Sequence, residues 1–144
     1  MNAGRQKVSS GSPYEKPIGF SRAVRVGNMV FVSGTGPVGP DGKTTGVGDA
    51  EAQARRCLEI IAAALNEAGA ELKHVVRTRM YVTDIALWEE VGRAHGEAFG
   101  DIQPAATMVE VSGLIDPDWV IEIEVEALIV EDNESWQNAW APTD

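Results

Sequence analysis

The chain has 144 residues, 44% of them hydrophobic and 24% charged, which suits one domain with its own core and excludes wholesale disorder. Its 12 basic residues against 22 acidic ones leave a formal net charge of −10, which repels polyphosphate and argues against nucleic-acid binding. One cysteine, Cys57, can form no internal disulfide, and no run approaches the roughly 20 apolar residues of a membrane span, so a soluble cytoplasmic protein is expected.

In chain order, residues 1–16 are rich in Gly, Ser and charge and read as a flexible leader, followed by a single domain over 17–131. Ser21 to Val26 and Met29 to Ser33 are β-rich runs joined by Gly27-Asn28, a two-residue hairpin signal. A loop follows, with Pro40-Asp41-Gly42 as its turn. Asp49 then reads as the N-cap of a helix whose stripe is Ala54, Cys57, Leu58, Ile61, Ala62 and Leu65, and Gly69 stops it. Its bulkier members contribute about 1.5–3 kcal/mol each when buried. Ordering each residue costs on the order of 1–2 kcal/mol, so the helix needs a sheet to lie on.

His74 to Thr83 is the next strand. Asp84 is placed to cap a second helix whose apolar side carries Leu87, Trp88, Val91, Ala94, Ala98 and Phe99. Thr107 to Val111 alternates as a strand, and Val120 to Val130 is the last one. It sends Ile121, Ile123 and Val125 to one face and Glu122, Glu124 and Glu126 to the other. Burying unpaired carboxylates costs several kcal/mol, so that glutamate face must meet water, cations or protons. The order ββαβαββ makes the fold class α+β, with both helices on one face of the sheet. Residues 132–144 read as a partly ordered acidic tail covering apolar surface; in the alternative, a short helix, Trp136 and Trp140, four apart, would share one side.

Few local motifs carry chemistry. Gly34 to Gly39 matches G-x-G-x-x-G after a strand, but Pro37 and Pro40 stand where a phosphate-binding helix would open, so it reads as a hairpin loop. The two histidines, His74 and His95, and one cysteine assemble no recognised zinc spacing, and no metal is expected. His74 reads as a surface residue, His95 as a packed or hydrogen-bonded helix residue, and Cys57 as a small core residue. Ser33 lies in no G-x-S-x-G elbow and reads as structural on its own. The glutamates of the last strand are the strongest local candidates, divided evenly between a wetted strand face and a working group.

Together, IGFSRAVRVGNMVFVSG, MYVTDIALWEEV, IQPAATMVEV and VIEIEVEALIV fall in the order of the RidA/YjgF family, which the chain resembles from about Ile18 to Val130. The resemblance implies a chorismate-mutase-like fold, a homotrimer with small-molecule clefts between subunits, and hydrolysis of reactive enamines and imines without metal or cofactor. It also implies a site. Ser33 and Gly34 match a serine-glycine pair lining the cleft, Glu122 a carboxylate that positions the attacking water, and Thr107 a small hydroxyl residue. Phe20 stands where the family usually has a tyrosine, Gly92 replaces a cleft asparagine, and His95 stands at an aromatic position one turn later.

The departure is in Pro104-Ala105-Ala106-Thr107. Active members read P-A-R-S, so Ala106 takes the place of the arginine that clamps a substrate carboxylate. One charge-assisted hydrogen bond is worth roughly 1.5–3 kcal/mol, tens- to a hundred-fold in affinity. Arg22, in place of a common glutamine, would restore the clamp if it reached the cleft, although a solvent-facing strand arginine is the default. Otherwise the arginine-free cleft would take a neutral or cationic ligand. Three function classes follow: a deaminase of altered substrate range, a non-catalytic small-molecule binder, and a ribonuclease, the last opposed by the charge.

Overall fold

A computed structural model describes residues 4–130, and the 132–144 tail with its two tryptophans lies outside them. Six strands form one sheet in the order β1-β2-β3-β6-β4-β5. They are β1 (Arg5–Val8), β2 (Ala23–Val26), β3 (Met29–Thr35), β4 (Val75–Val82), β5 (Ala105–Glu110) and β6 (Ile121–Leu128). Every pairing is antiparallel except β4 with β5. That parallel pair needs a crossover, supplied by α3 (Trp88–Phe99). The other helices are α1 (Glu15–Ile18) and α2 (Ala50–Glu67).

The mixed α+β class agrees with expectation, and the expected ββαβαββ order is present with β1 and α1 added in front. The segment read as a flexible leader is thereby corrected. Arg5 to Val8 pairs along Ala23–Val26 and buries Val8, while α1 begins at Glu15. Glu15 holds this segment down by accepting the Ser10 and Ser12 amides and the Ser10 hydroxyl.

Local chemistry explains most of the element ends. Val26 pairs with Met29 across Gly27-Asn28, and Gly27 has φ 58, as the first position of a II′ turn requires. Asp49 accepts the Ala52 amide at 3.0 Å and caps α2. At the other end Gly69 has φ 86, its amide bonds the Asn66 carbonyl, and the Ala70 amide bonds that of Leu65: a Schellman motif. Asp84 caps not the second helix directly but a 3₁₀ turn over Ile85–Leu87, and α3 starts at Trp88. Trp88 is 56% exposed, not packed as expected, whereas Val91, Ala94 and Phe99 are buried.

The core lies between the two long helices and one sheet face. Ala54, Cys57, Leu58, Ile61 and Leu65 of α2 meet Val30 and Val32 of β3 and Ile121, Ile123 and Val125 of β6. Cys57 is the core residue expected of it, and burial drives its thiol pKa up, away from reactivity. Among the described residues the other sheet face carries no helix.

Candidate functional site

Strand β3 does not run straight into its loop. Its pairing with β6 shifts between Val32 and Thr35, so the chain bulges at Ser33-Gly34. The Ser33 hydroxyl donates to the Ser21 carbonyl at 2.6 Å, pinning the bulge to the segment before β2. Arg22, next to that segment, turns inward and is only 6% exposed, so the default of a solvent-facing arginine does not hold. Its Nη1 donates to the Gly34 carbonyl at 2.6 Å and to Thr35 Oγ1 at 2.9 Å, and its guanidinium carbon lies 5.4 Å from the centre of the Phe20 ring.

Glu122 approaches the same bulge from β6. A Cβ on residue 34 would lie 2.9 Å from its carboxyl carbon, so glycine there is what lets the carboxylate settle on the backbone. Burial raises the Glu122 carboxyl above its usual pKa; Arg22 pulls it back and Glu124 adds to the rise. The other two glutamates of that face are satisfied differently. Glu124 accepts the Tyr81 hydroxyl, and Glu126 accepts Arg79 at 2.9 Å. Cations and a phenol thus answer two of the three carboxylates, as the strand pattern required.

Phe20, Arg22, Gly34 and Glu122 all border one cavity of about 720 Å³. Its walls are the Val8–Tyr14 strap, the loop from Gly34 to Gly42, one flank of α2, and Trp119. In that loop Gly42 has φ 81 and donates to the Gly39 carbonyl, closing the Pro40-Asp41-Gly42 turn. The glycines of the apparent dinucleotide motif give clearance to their neighbours, and a Cβ on Gly36 would meet the Trp119 ring at 2.5 Å. Trp119 is buried and donates its indole N–H to Thr44.

The remaining candidates lie elsewhere on the protomer. Ala106 pairs in register with Thr78, whose hydroxyl lies 2.9 Å from His95 Nε2. His95 also tilts against Phe99 at 4.7 Å, and burial lowers its pKa, so it packs as a neutral ring. Gly92, three residues before His95 on α3, faces open space. Thr107, one position on from Ala106, points to the helix-free face in register with Arg79. His74 accepts the Glu71 amide through Nδ1, a structural role at the start of β4. Among the described residues no group of three His, Cys, Asp or Glu could hold a metal, and no helix is long and apolar enough to cross a membrane.

Sequence reasoning passed over two residues that build this region. Gln53 is fully buried, bonds the Gly46 and Asp118 carbonyls and accepts the Val120 amide, tying α2 to the entry of β6. Its signal was a polar residue one turn before Cys57 on an apolar stripe. Trp119 was announced only by its place after Asp116-Pro117-Asp118, a turn that leads into the strand.

Comparison with known proteins comes to the same architecture. The family model described as Endoribonuclease L-PSP matches residues 14–129. A RutC family protein of Pyrococcus abyssi is 41% identical over 113 residues, covering 78% of this chain and 88% of that one. The 3-aminoacrylate deaminase RutC of Acinetobacter baylyi is 38% identical over 101 residues, covering 70% and 79%. The crystal structure of a YjgF/YER057c/UK114 family member from Mycobacterium tuberculosis superposes with a TM-score of 0.79 at 49% identity, covering 88% of this chain and all of that one.

Proposed function

The chain belongs to the YjgF/RidA family, matched over residues 14–129, and on that premise we propose that it is an enamine or imine deaminase with a substrate range of its own. The observation that carries this reading is Glu122: a half-buried carboxylate of raised proton affinity, seated on Gly34 at the wall of a cavity. Such a group is a better base than a solvated carboxylate and is held where a ligand can reach it. It would position a water and take its proton as the oxygen attacks the imine carbon. Returning the proton to nitrogen lets the C–N bond break, and the products are a carbonyl compound and ammonia. The similarity to a protein named as a 3-aminoacrylate deaminase supports the same reaction class.

Gly92, His95 and Ala106 sit apart from Glu122 within one chain, and β5, which carries Ala106, is an open sheet edge. In the homotrimer we propose, that edge of one copy closes the cavity of the next, so the working cleft is shared. One observation favours a second reading, a binder that does not catalyse. Ala106 offers no charged group where active relatives are expected to carry an arginine.

The deciding assay generates imines in situ with an amino-acid oxidase, includes 3-aminoacrylate, and follows ammonia release. Faster release than in buffer on any member supports deamination, and a panel silent throughout supports the binder. RNA cleavage that survives repeated purification would support instead the nuclease that the family model's description names. The net charge of −10 argues against that outcome.

A further inference from the structure

Both rescues foreseen for the missing arginine can be weighed against the cavity itself. Arg22 Nη1 is occupied by the Gly34 carbonyl and Thr35 Oγ1. Its Nε and Nη2 meet no acceptor among the described residues. Yet those residues hold no buried side-chain nitrogen or oxygen without a partner, so these N–H groups open onto accessible space. The space that Arg22 borders is the 720 Å³ cavity. The second arginine on its wall, Arg56, is neutralised by Glu59 at 3.1 Å and tied to the Val38 carbonyl at 2.8 Å. Among the described residues Arg22 makes no such direct salt bridge, though the charges of Glu15 and Glu122 act on it, and the Phe20 ring backs its guanidinium.

The rest of the wall is mixed, with Ser9, Ser10, Ser12, Glu59 and Glu67 beside a larger apolar part. Ile60, Ala63, Ile115 and Trp119 supply that apolar part, and Phe20 lies beside Arg22. Pockets of about 300–1,000 Å³ hold drug-sized ligands, so a three-carbon acid would leave most of this one empty. Resting on the reading of the cavity as a ligand site, we propose that Arg22 binds the ligand's carboxylate and that the cavity takes a 2-imino or 2-oxo acid with a bulky apolar side chain. The carboxylate meets the free N–H groups of Arg22, the imine carbon lies toward Glu122, and the side chain follows the apolar wall. The anionic anchor thus belongs to the same chain as the base, not to position 106.

Isothermal titration tests this with 4-methyl-2-oxopentanoate, its primary amide and pyruvate. The native protein should bind the long acid at least tenfold more tightly than either of the others, and Arg22→Gln should erase the preference over the amide. Equal binding of acid and amide by the native protein, or a preference that survives Arg22→Gln, overturns the proposal. Because Arg22 braces the bulge, Ile60→Trp serves as a second variant. It fills the apolar wall, leaves Arg22 in place, and should weaken the long acid about tenfold while sparing pyruvate. Unchanged binding of the long acid by Ile60→Trp overturns the site even where Arg22→Gln does not fold. Ammonia release from the same panel is read separately. Arg22-dependent binding without ammonia sinks deamination but not the anchor, and ammonia release with an intact acid preference in Arg22→Gln sinks the anchor alone.

Discussion

Glu122 and Glu124 share one strand face two residues apart, yet their partners differ. Glu124 meets the Tyr81 hydroxyl, and Glu122 meets the backbone of Gly34. Alternation along β6 was enough to separate these carboxylates from the apolar face, but what each one meets is decided by β3 and β4, far away in sequence. A carboxyl with a raised folded-state pKa binds more protons folded than unfolded between the two pKa values, so stability falls as pH rises through that window. Above it, the folded state carries the full penalty of a partly buried charge. Glu122→Gln should therefore raise the melting temperature at pH 7.5, with the gain shrinking as pH falls below the usual carboxylate range; calorimetry at both pH values would show it. The same variant should lower ammonia release by about 10²–10⁴-fold, the usual contribution of a general base. A gain in stability paired with a loss of activity is what separates a working carboxylate from a wetted one. Arg22 was legible as a candidate but not as a buried one, because its inward turn comes from the bulge after Val32 and nothing in SRAVRV encodes it.

At the scale of elements, the ends of α2 could be read residue by residue, since Asp49 and Gly69 act on the backbone beside them. Asp49→Ala should cost about 0.5–2 kcal/mol, read as a lower denaturant midpoint. β1 was missed because a four-residue edge strand buries only Val8 and so shows no alternation to count. The Gly34–Gly39 stretch was read as a hairpin loop, but the reason for its glycines lies in the packing of Glu122 and Trp119 against them. That difference can be measured. A methyl on Gly36 meets a buried aromatic ring with little freedom to move, so Gly36→Ala should destabilise by about 1–3 kcal/mol with the m-value unchanged. A methyl on Gly34 meets the end of a flexible side chain, so Gly34→Ala should displace the Glu122 carboxylate and lower ammonia release with less effect on the midpoint.

For the whole molecule the decisive asymmetry is the sheet, with α2 and α3 on one face and, among the described residues, no helix on the other. The open face carries Arg77 and Arg79 paired with glutamates of β6, but also exposed Val26, Met29, Phe31, Val76 and Val109. Antiparallel sheets tolerate a wet face, yet contiguous apolar area on one more often marks a contact surface. If three copies pack through it, Phe31, 41% exposed and opposite Glu126, lies where a new charge would be trapped on assembly. Phe31→Asp should leave the fold intact by circular dichroism, because the side chain is outside the core. It should also shift sedimentation from the trimer to a smaller species. Ammonia release should fall with assembly, since the proposed cleft borrows Gly92, His95 and Ala106 from a neighbour. Preference for the long acid over its amide should persist, since Arg22 and the apolar wall belong to one chain. A variant that sediments as the native protein does would place the assembly surface elsewhere, and one that loses acid preference on dissociation would make the anchor, too, a property of the assembly.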